Sequence, residues 1–383
     1  MASFVVGLRR FLGALALMLL AHQAAAAERP AFVGESGSKL VVNGSPFVFN
    51  GFNAYWLMNV ASEDQDEGLQ DPERRGGGRA HRVPNVGVQR RRQPLAAVVA
   101  GGLQRESLPG ASCLRFLPVS QRRRQAFVWR PQSILGLDFV VSEARNHGIR
   151  LVLSLINNFK DYGGRTQYVQ WARDAGESIQ TDDDFYTNAK VKQYYKNHVL
   201  KVLTRVNTIT KVAYKDDPTI MTWDLMNEPR CQVDRTGQTV TVRTLSLASI
   251  TAGNAAAAFI SVNAWVKEMA AYTKSIDSKH LLQVIGKPLV FEEFGKSKTT
   301  PGYSQKVRDD FFSFVYGVIY SDAESSGGSF SGGLLWQIMG DGMDSYYDGF
   351  AIVLSRDSTT RAVIKNQSDA MAALKNRLSG SHH

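Results

Sequence analysis

The sequence predicts an α/β fold in which buried strands alternate with amphipathic helices. One helix signal is a set of apolar residues at the spacing of a single helix face, Leu137, Val140, Val141 and Ala144. Gly148 follows as its cap, and the apolar run 149–156 then predicts a buried strand. A second striped helix, residues 191–206, leads into the extended segment 217–230. This succession indicates parallel strands joined by helical crossovers.

The start of the chain has the pattern of an export signal rather than of a folded element. Two arginines precede an apolar run, residues 11–20, and a small-residue stretch follows at residues 24–27. The run is too short to span a bilayer. We therefore expect a signal peptide over residues 1–27 and a secreted, extracellular protein. Residues 28–383 are long enough to form a single domain.

The net charge of +10 invites a nucleic-acid-binding interpretation, but the charge is concentrated in one place. Residues 71–130 hold 13 Arg, no Lys and 3 acidic residues, so this segment carries the whole excess. The export signal also opposes nucleic acid as a partner. A basic nucleic-acid-binding protein therefore remains only the second alternative, and we expect neither a nucleic-acid nor a membrane partner.

An N-terminal hairpin comes before the first long strand. Residues 39–49 predict two short strands around the turn dipeptide Asn43-Gly44. Residues 50–56 then predict a strand with Trp56 near its end, and we interpret this tryptophan as a core residue. A later helix over residues 302–321 is predicted to face inward through five apolar residues, Val307, Phe311, Phe314, Val315 and Val318.

Two strands each deliver a glutamate. The first runs from Asp217-Pro218 to Asn227-Glu228-Pro229, where proline stops further ladder pairing. The second, residues 288–295, ends in Glu293-Phe294-Gly295. Paired carboxylates are what glycosidic bond cleavage requires, one as general acid and one as nucleophile or base. The alternative is that both are surface acids at strand ends.

These motifs resemble glycoside hydrolase family 5. Asn-Glu-Pro after one strand and Glu-Phe-Gly at the end of a later one carry the resemblance. The flanking sequence is similar to that of the plant endo-β-1,4-mannanases, in residues 205–208, 214–220, 227–232 and 294–297. The resemblance implies a (β/α)8 TIM barrel and retaining hydrolysis of β-1,4-mannosidic bonds in mannan, galactomannan or glucomannan. It also implies a monomer that acts on cell-wall polysaccharide without a cofactor or a metal.

The resemblance assigns roles to four residues. Glu228 would protonate the leaving oxygen and later deprotonate water, and Glu293 would attack the anomeric carbon. Their carboxyl groups are then expected about 5–5.5 Å apart. Asn227 would form a hydrogen bond with the 2-hydroxyl of the sugar. Trp336 would lie beneath the sugar ring at the cleavage point. Glu293 is preferred to Glu292 because the family motif is Glu-Phe-Gly and because strand alternation sends Glu292 to the opposite face.

The chain departs from the family in three places. Residues 62–133 show no usable periodicity, and their composition alone indicates disorder or a basic tail. A second hypothesis is a frameshift, because residues 80–92 read out of phase give the second strand of the family, which would then be missing here. Residues 240–262 interrupt the match, either as a retained intron or as a surface insertion. Only Gly286-Lys287 separates two apparent strands, whereas the family has a helix and a further strand there.

These departures predict an incomplete barrel without its second and sixth strands. A catalytically inactive member of the family is therefore the first alternative. The two cysteines, Cys113 and Cys231, could pair outside the cell, and the sequence leaves this open.

Overall fold

The computed structural model describes residues 31–57, 112–116, 131–160, 163–231, 253–282, 288–341 and 343–380. Its strands, in chain order, are β1 (Val33–Ser36), β2 (Lys39–Val42), β3 (Ser45–Pro46), β4 (Phe49–Asn53), β5 (Ser112–Phe116), β6 (Arg150–Ser154), β7 (Ile220–Asp224), β8 (Leu281–Leu282), β9 (Leu289–Phe294), β10 (Phe330–Leu335), β11 (Ile338–Met339) and β12 (Ile352–Val353). Its α-helices are α1 (Pro131–Asn146), α2 (Arg165–Asp174), α3 (Ala189–Leu203), α4 (Gly253–Ile276), α5 (Gln305–Glu324) and α6 (Ser358–Gly380).

The fold is mixed α/β, and its centre is a sheet of seven strands in the order β8-β7-β6-β5-β4-β10-β9. Every neighbouring pair in this sheet is parallel. Helices alternate with the strands along most of the chain. The carboxyl ends of all seven strands therefore lie along one edge, as the helix–strand succession predicted.

The prediction that the second strand is missing is wrong. β5 pairs with β4 on one side and with β6 on the other, in the registers Phe52↔Leu114 and Leu114↔Leu151. A five-residue strand between two parallel neighbours need not alternate polar and apolar residues, so periodicity could not reveal it. Residues 80–92, on which the frameshift hypothesis rests, lie outside the described residues.

Within the described ranges, β8 and β9 form the two ends of the sheet. Six residues separate Leu282 from Leu289, and residues 283–287 lie outside the description. A crossover between parallel neighbours takes a dozen residues or more. The absence of the sixth strand therefore stays a prediction, which the short connection supports.

The other helix and strand predictions are largely confirmed. The four apolar residues that predicted α1 are fully buried, and Gly148 takes a left-handed φ of 67° after the helix end. Asn43 and Gly44 turn the β2–β3 hairpin with φ values of 51° and 78°. Trp56 is buried, and its Nε1 donates to the Ile338 carbonyl at 2.9 Å.

α4 begins at Gly253, inside the segment 240–262 that the sequence marks as anomalous. Its later turns place Trp265 and Met269 in the main apolar core, beside the aromatic residues Phe185 and Tyr195. Part of the anomalous segment is thus helical, while residues 240–252 lie outside the description.

Candidate active site

Asn227 and Glu228 follow the carboxyl end of β7 and are held against the end of β6. The Asn227 N–H donates to the Ile156 carbonyl at 2.8 Å, and the Asn158 N–H donates to the Asn227 carbonyl at 3.1 Å. The Asn227 Nδ2 donates to Asn157 Oδ1 at 3.2 Å. Pairing therefore continues past both strands and fixes the backbone on which Glu228 is carried.

Glu228 and Glu293 share an uncommon backbone conformation. Their φ angles are 48° and 59°, in the left-handed region that side chains with a Cβ rarely occupy. Among the described residues only two other non-glycine positions, Asn43 and Lys211, have positive φ. Such conformations cost free energy and cluster at functional sites, where the surrounding structure enforces them.

Glu293 lies on β9 beside a register shift. Leu334 pairs with Glu292, whereas the next residue, Leu335, already pairs with Phe294, so β9 has one extra residue here. The alternation argument that placed Glu292 on the opposite face does not apply at such a bulge. The choice of Glu293 over Glu292 thus depends on the family motif and on the strained φ of Glu293.

Trp336 follows β10 directly and is a neighbour of the Glu293 strand, because its N–H donates to the Phe294 carbonyl at 2.8 Å. Its indole Nε1 donates to Asp348 Oδ2 at 2.8 Å, and its ring stacks on Tyr55 at 5.8 Å and 9°. Gly295 is required beside it, since a Cβ there would lie 2.5 Å from the Trp336 carbonyl oxygen. The indole is held in place while remaining partly exposed.

Arg230 is a site residue to which sequence reasoning gave no role. Its guanidinium forms an ion pair with Glu228 Oε2 and lies 5.2 Å from the centre of the Phe159 ring. The two-residue spacing across Pro229 was visible in the sequence. That an arginine there contacts the glutamate depends on the turn, which periodicity does not reveal.

The structure thus places all four predicted residues at the carboxyl edge of one parallel sheet. Asn227 and Glu228 lie at the β6–β7 end, and Glu293 and Trp336 lie at the β9–β10 end. The separation of the two carboxyl groups stays a prediction.

The part of the chain that the structure describes shows neither a cluster of metal ligands nor a membrane-spanning helix. No group of three or more potential metal ligands comes together there. None of the described helices has the length and apolarity needed to cross a membrane.

Comparisons with known proteins identify the family of the chain. A model of glycoside hydrolase family 5, described as beta-mannosidase-like, matches residues 30–286. The chain is 37% identical to mannan endo-1,4-beta-mannosidase 5 of Solanum lycopersicum, over 90% of this chain and 89% of that protein. It is 35% identical to mannan endo-1,4-beta-mannosidase 1 of the same plant, over 91% of this chain and 93% of the relative.

Solved structures support the same fold. The crystal structure of a glycoside hydrolase family 5 mannosidase from Rhizomucor miehei superimposes with a TM-score of 0.64 at 17% identity. The match covers 92% of this chain and all of the fungal chain. The chain therefore belongs to glycoside hydrolase family 5 and is, by family, a glycosidase of the mannan endo-1,4-beta-mannosidase group.

Proposed function

We propose that the protein hydrolyses internal β-1,4-mannosidic bonds of mannan, galactomannan or glucomannan with retention of configuration. One observation carries this proposal. The two glutamates named by the family motifs both lie at the carboxyl ends of parallel strands, and both have left-handed backbones. In barrels of parallel strands, that edge is where catalytic residues lie.

The proposed reaction has two steps. Glu293 attacks the anomeric carbon and forms a glycosyl ester, while Glu228 gives its proton to the departing oxygen. Glu228, now a carboxylate, then takes a proton from water, and the resulting hydroxide attacks the same carbon and releases Glu293. Two inversions at one centre leave the configuration unchanged.

The neighbouring residues position the sugar in this proposal. Asn227 would accept or donate a hydrogen bond with the 2-hydroxyl, a contact that strengthens in the transition state. The partly exposed indole of Trp336 offers an apolar face to a pyranose ring, and Asp348 and Tyr55 keep it from rotating. Arg230 would be the group that Glu228 leaves when it turns towards the leaving oxygen.

Export is a further part of the proposal. Residues 1–27 would be removed as a signal peptide, and the mature protein would meet its polysaccharide in the cell wall as a monomer. Support comes from the arginine pair and the short apolar run at the start of the chain.

A specific observation favours the inactive alternative. The chain allows six residues between β8 and β9, and the apolar residues Leu289 and Phe291 on β9 are 48% and 42% exposed. A family barrel without its sixth strand would leave this wall open and its backbone groups without ladder partners.

The deciding experiment is hydrolysis of linear mannan by the chain from residue 28 onward, followed by proton NMR of the new reducing ends. Retention gives the β-anomer first. The variants Glu228→Gln and Glu293→Gln should each reduce turnover by about 10³-fold or more, while Glu292→Gln, the matched control, keeps most of it. The α-anomer appearing first would contradict the mechanism. No turnover by any of the four proteins would establish the inactive alternative.

A further inference from the structure

The phenolic hydroxyl of Tyr186 contacts the chain on both sides of Glu228. It donates a hydrogen bond to the Arg230 carbonyl at 3.1 Å and accepts one from the Arg230 N–H at 3.2 Å. Met226 Sδ lies 3.4 Å from the same oxygen. Met226 and Arg230 stand two residues before and two residues after Glu228, so one hydroxyl group spans the glutamate.

We infer that Tyr186 is a positioning residue for Glu228, which it holds in its strained backbone conformation through Arg230. The inference rests on the proposed role of Glu228 as acid and base. A φ of 48° at a glutamate is not maintained by local preference, so the flanking chain must enforce it. With Pro229 in between, fixing both the N–H and the carbonyl of Arg230 leaves Glu228 little freedom.

The ring that carries this hydroxyl is held by contacts on several sides. The ring of Tyr186 is buried and makes edge contacts with Phe185 at 5.4 Å and with Trp265 at 5.6 Å. The Arg165 guanidinium lies 5.6 Å from the ring centre. The 3-10 turn that carries Tyr186 begins at a capping box between Thr181 and Asp184. None of these contacts uses the hydroxyl oxygen, which is therefore free to hold the Arg230 backbone.

The hydroxyl also keeps its proton near neutral pH. Burial raises the pKa of Tyr186 far above its usual range, so the group stays a donor to the Arg230 carbonyl. Ionisation of Tyr186 therefore does not break its hydrogen bond to Arg230 near neutral pH.

The arrangement offers a clean substitution. Tyr186→Phe removes one oxygen and retains the ring that Phe185 and Trp265 pack against. Tyr214→Phe is the matched control, because Tyr214 is equally buried and its hydroxyl donates to Asp138 Oδ1 at 2.7 Å. Tyr214 precedes β7, whereas Glu228 follows it, so the control hydroxyl does not contact the segment around Glu228.

The first measurement compares leaving groups. On mannopentaose, where the departing oxygen needs a proton, we expect kcat/KM of Tyr186→Phe to fall about 10- to 100-fold, with KM within about twofold of wild type. On a 2,4-dinitrophenyl β-mannobioside, whose leaving group departs without a proton, kcat/KM should stay within about twofold. If Tyr186 had a merely structural role, kcat/KM of Tyr186→Phe would fall by the same factor on both substrates. That result would overturn the inference.

The second measurement does not depend on activity. Amide exchange of the Arg230 N–H should accelerate about 10-fold or more in Tyr186→Phe and stay unchanged in Tyr214→Phe. If wild type hydrolyses neither substrate, the proposed function fails, and the exchange rates still decide whether Tyr186 holds this segment. Unchanged Arg230 exchange in Tyr186→Phe would overturn the inference whatever the activity.

Discussion

The two strands that deliver glutamates differ sharply in how the protein supports them. β7 is buried along its whole length between β6 and β8. β9 is an end strand of the described sheet, and Leu289 and Phe291 are exposed on it. The same type of side chain is thus carried by an interior strand in one case and by an open edge in the other.

Side chains from other elements also anchor β7 at both ends. Just before its start, His280 Nε2 donates to the Asp217 carbonyl at 2.9 Å, and within the strand Trp223 Nε1 donates to Asp277 Oδ2 at 2.7 Å. At its carboxyl end, Asn157 and Tyr186 hold the residues around Glu228. The acid/base half of the site therefore lies on a buried interior strand, and weakness is expected on the nucleophile side, where the strand is an exposed edge.

The largest expected effect comes from adding the missing chain between β8 and β9, which would cover the exposed edge of the sheet at β9. A chimera that carries, between Leu282 and Leu289, the segment that mannan endo-1,4-beta-mannosidase 5 of Solanum lycopersicum has at this place should turn over mannan about 10²- to 10³-fold faster than the chain as written. The physical reason is that the added wall covers β9 and gives its backbone groups ladder partners, which steadies the strand that carries Glu293. Initial rates on linear mannan measure it.

A control for that chimera inserts a flexible Gly-Ser segment of equal length at the same place. It should leave the rate at the level of the unmodified chain. Equal rates from all three proteins would show that the short connection is harmless.

A smaller effect is expected from the buried histidine behind the β6 end. Burial lowers the pKa of His198 to about 4, and its Nε2 donates to the Leu155 carbonyl at 2.9 Å. Because the unfolded histidine titrates near pH 6.5, the unfolded state takes up a proton first as pH falls. The stability that comes from keeping His198 neutral is fully present above about pH 6.5. It is lost progressively as the pH falls to about 4.

The measurement is the free energy of unfolding by urea at pH 7 and at pH 4.5. Between these values wild type should lose about 2 to 3 kcal/mol more than His198→Gln, which keeps an N–H donor but does not titrate. His147→Gln, at the partly exposed end of α1, should keep the wild-type loss. A wild-type loss in His198→Gln as well would assign the acid sensitivity to other groups.

The smallest expected effect is a difference in stability cost between a buried position on β7 and a half-exposed position on β9. Met221→Thr on β7 should lower the free energy of unfolding by about 2 to 3 kcal/mol, because it leaves a cavity and buries a hydroxyl. Phe291→Thr on β9 should cost less, about 1 kcal/mol, since 42% of that residue is already exposed. Equal costs would show that Phe291 is covered and would remove the contrast between the strands.

The sequence predicts the site better than it predicts the sheet. Asn227, Glu228, Glu293 and Trp336 could be named because short motifs fix their places at strand ends. β5 could not, since five residues in an arginine-rich segment are recognisable as a strand only through their neighbours β4 and β6. The Arg230 and Tyr186 contacts depend on turns, and no periodicity reports them.

The helix α5 shows the same limit in another form. Of the five residues predicted to face inward, Val315 is buried, whereas Val307, Phe314 and Val318 are exposed. The rest of the buried face carries Phe312, Tyr316 and Ile319. Apolar residues lie on nearly every side of this helix, so its pattern cannot choose a face. The choice is made by β9, where Phe294 packs on Phe312 and Tyr316.

The central claim is that Glu293 is the nucleophile of a retaining site and Glu228 its acid/base partner. Its most direct test is mass spectrometry of the chain after incubation with 2,4-dinitrophenyl 2-deoxy-2-fluoro-β-mannobioside, which slows the second step and traps the glycosyl ester. We expect one added disaccharide on the peptide containing Glu293, with fragmentation placing it on that residue, and no label in Glu293→Gln. Labelling on Glu292 or Glu228, or no label on a chain that still hydrolyses mannan, would contradict the account.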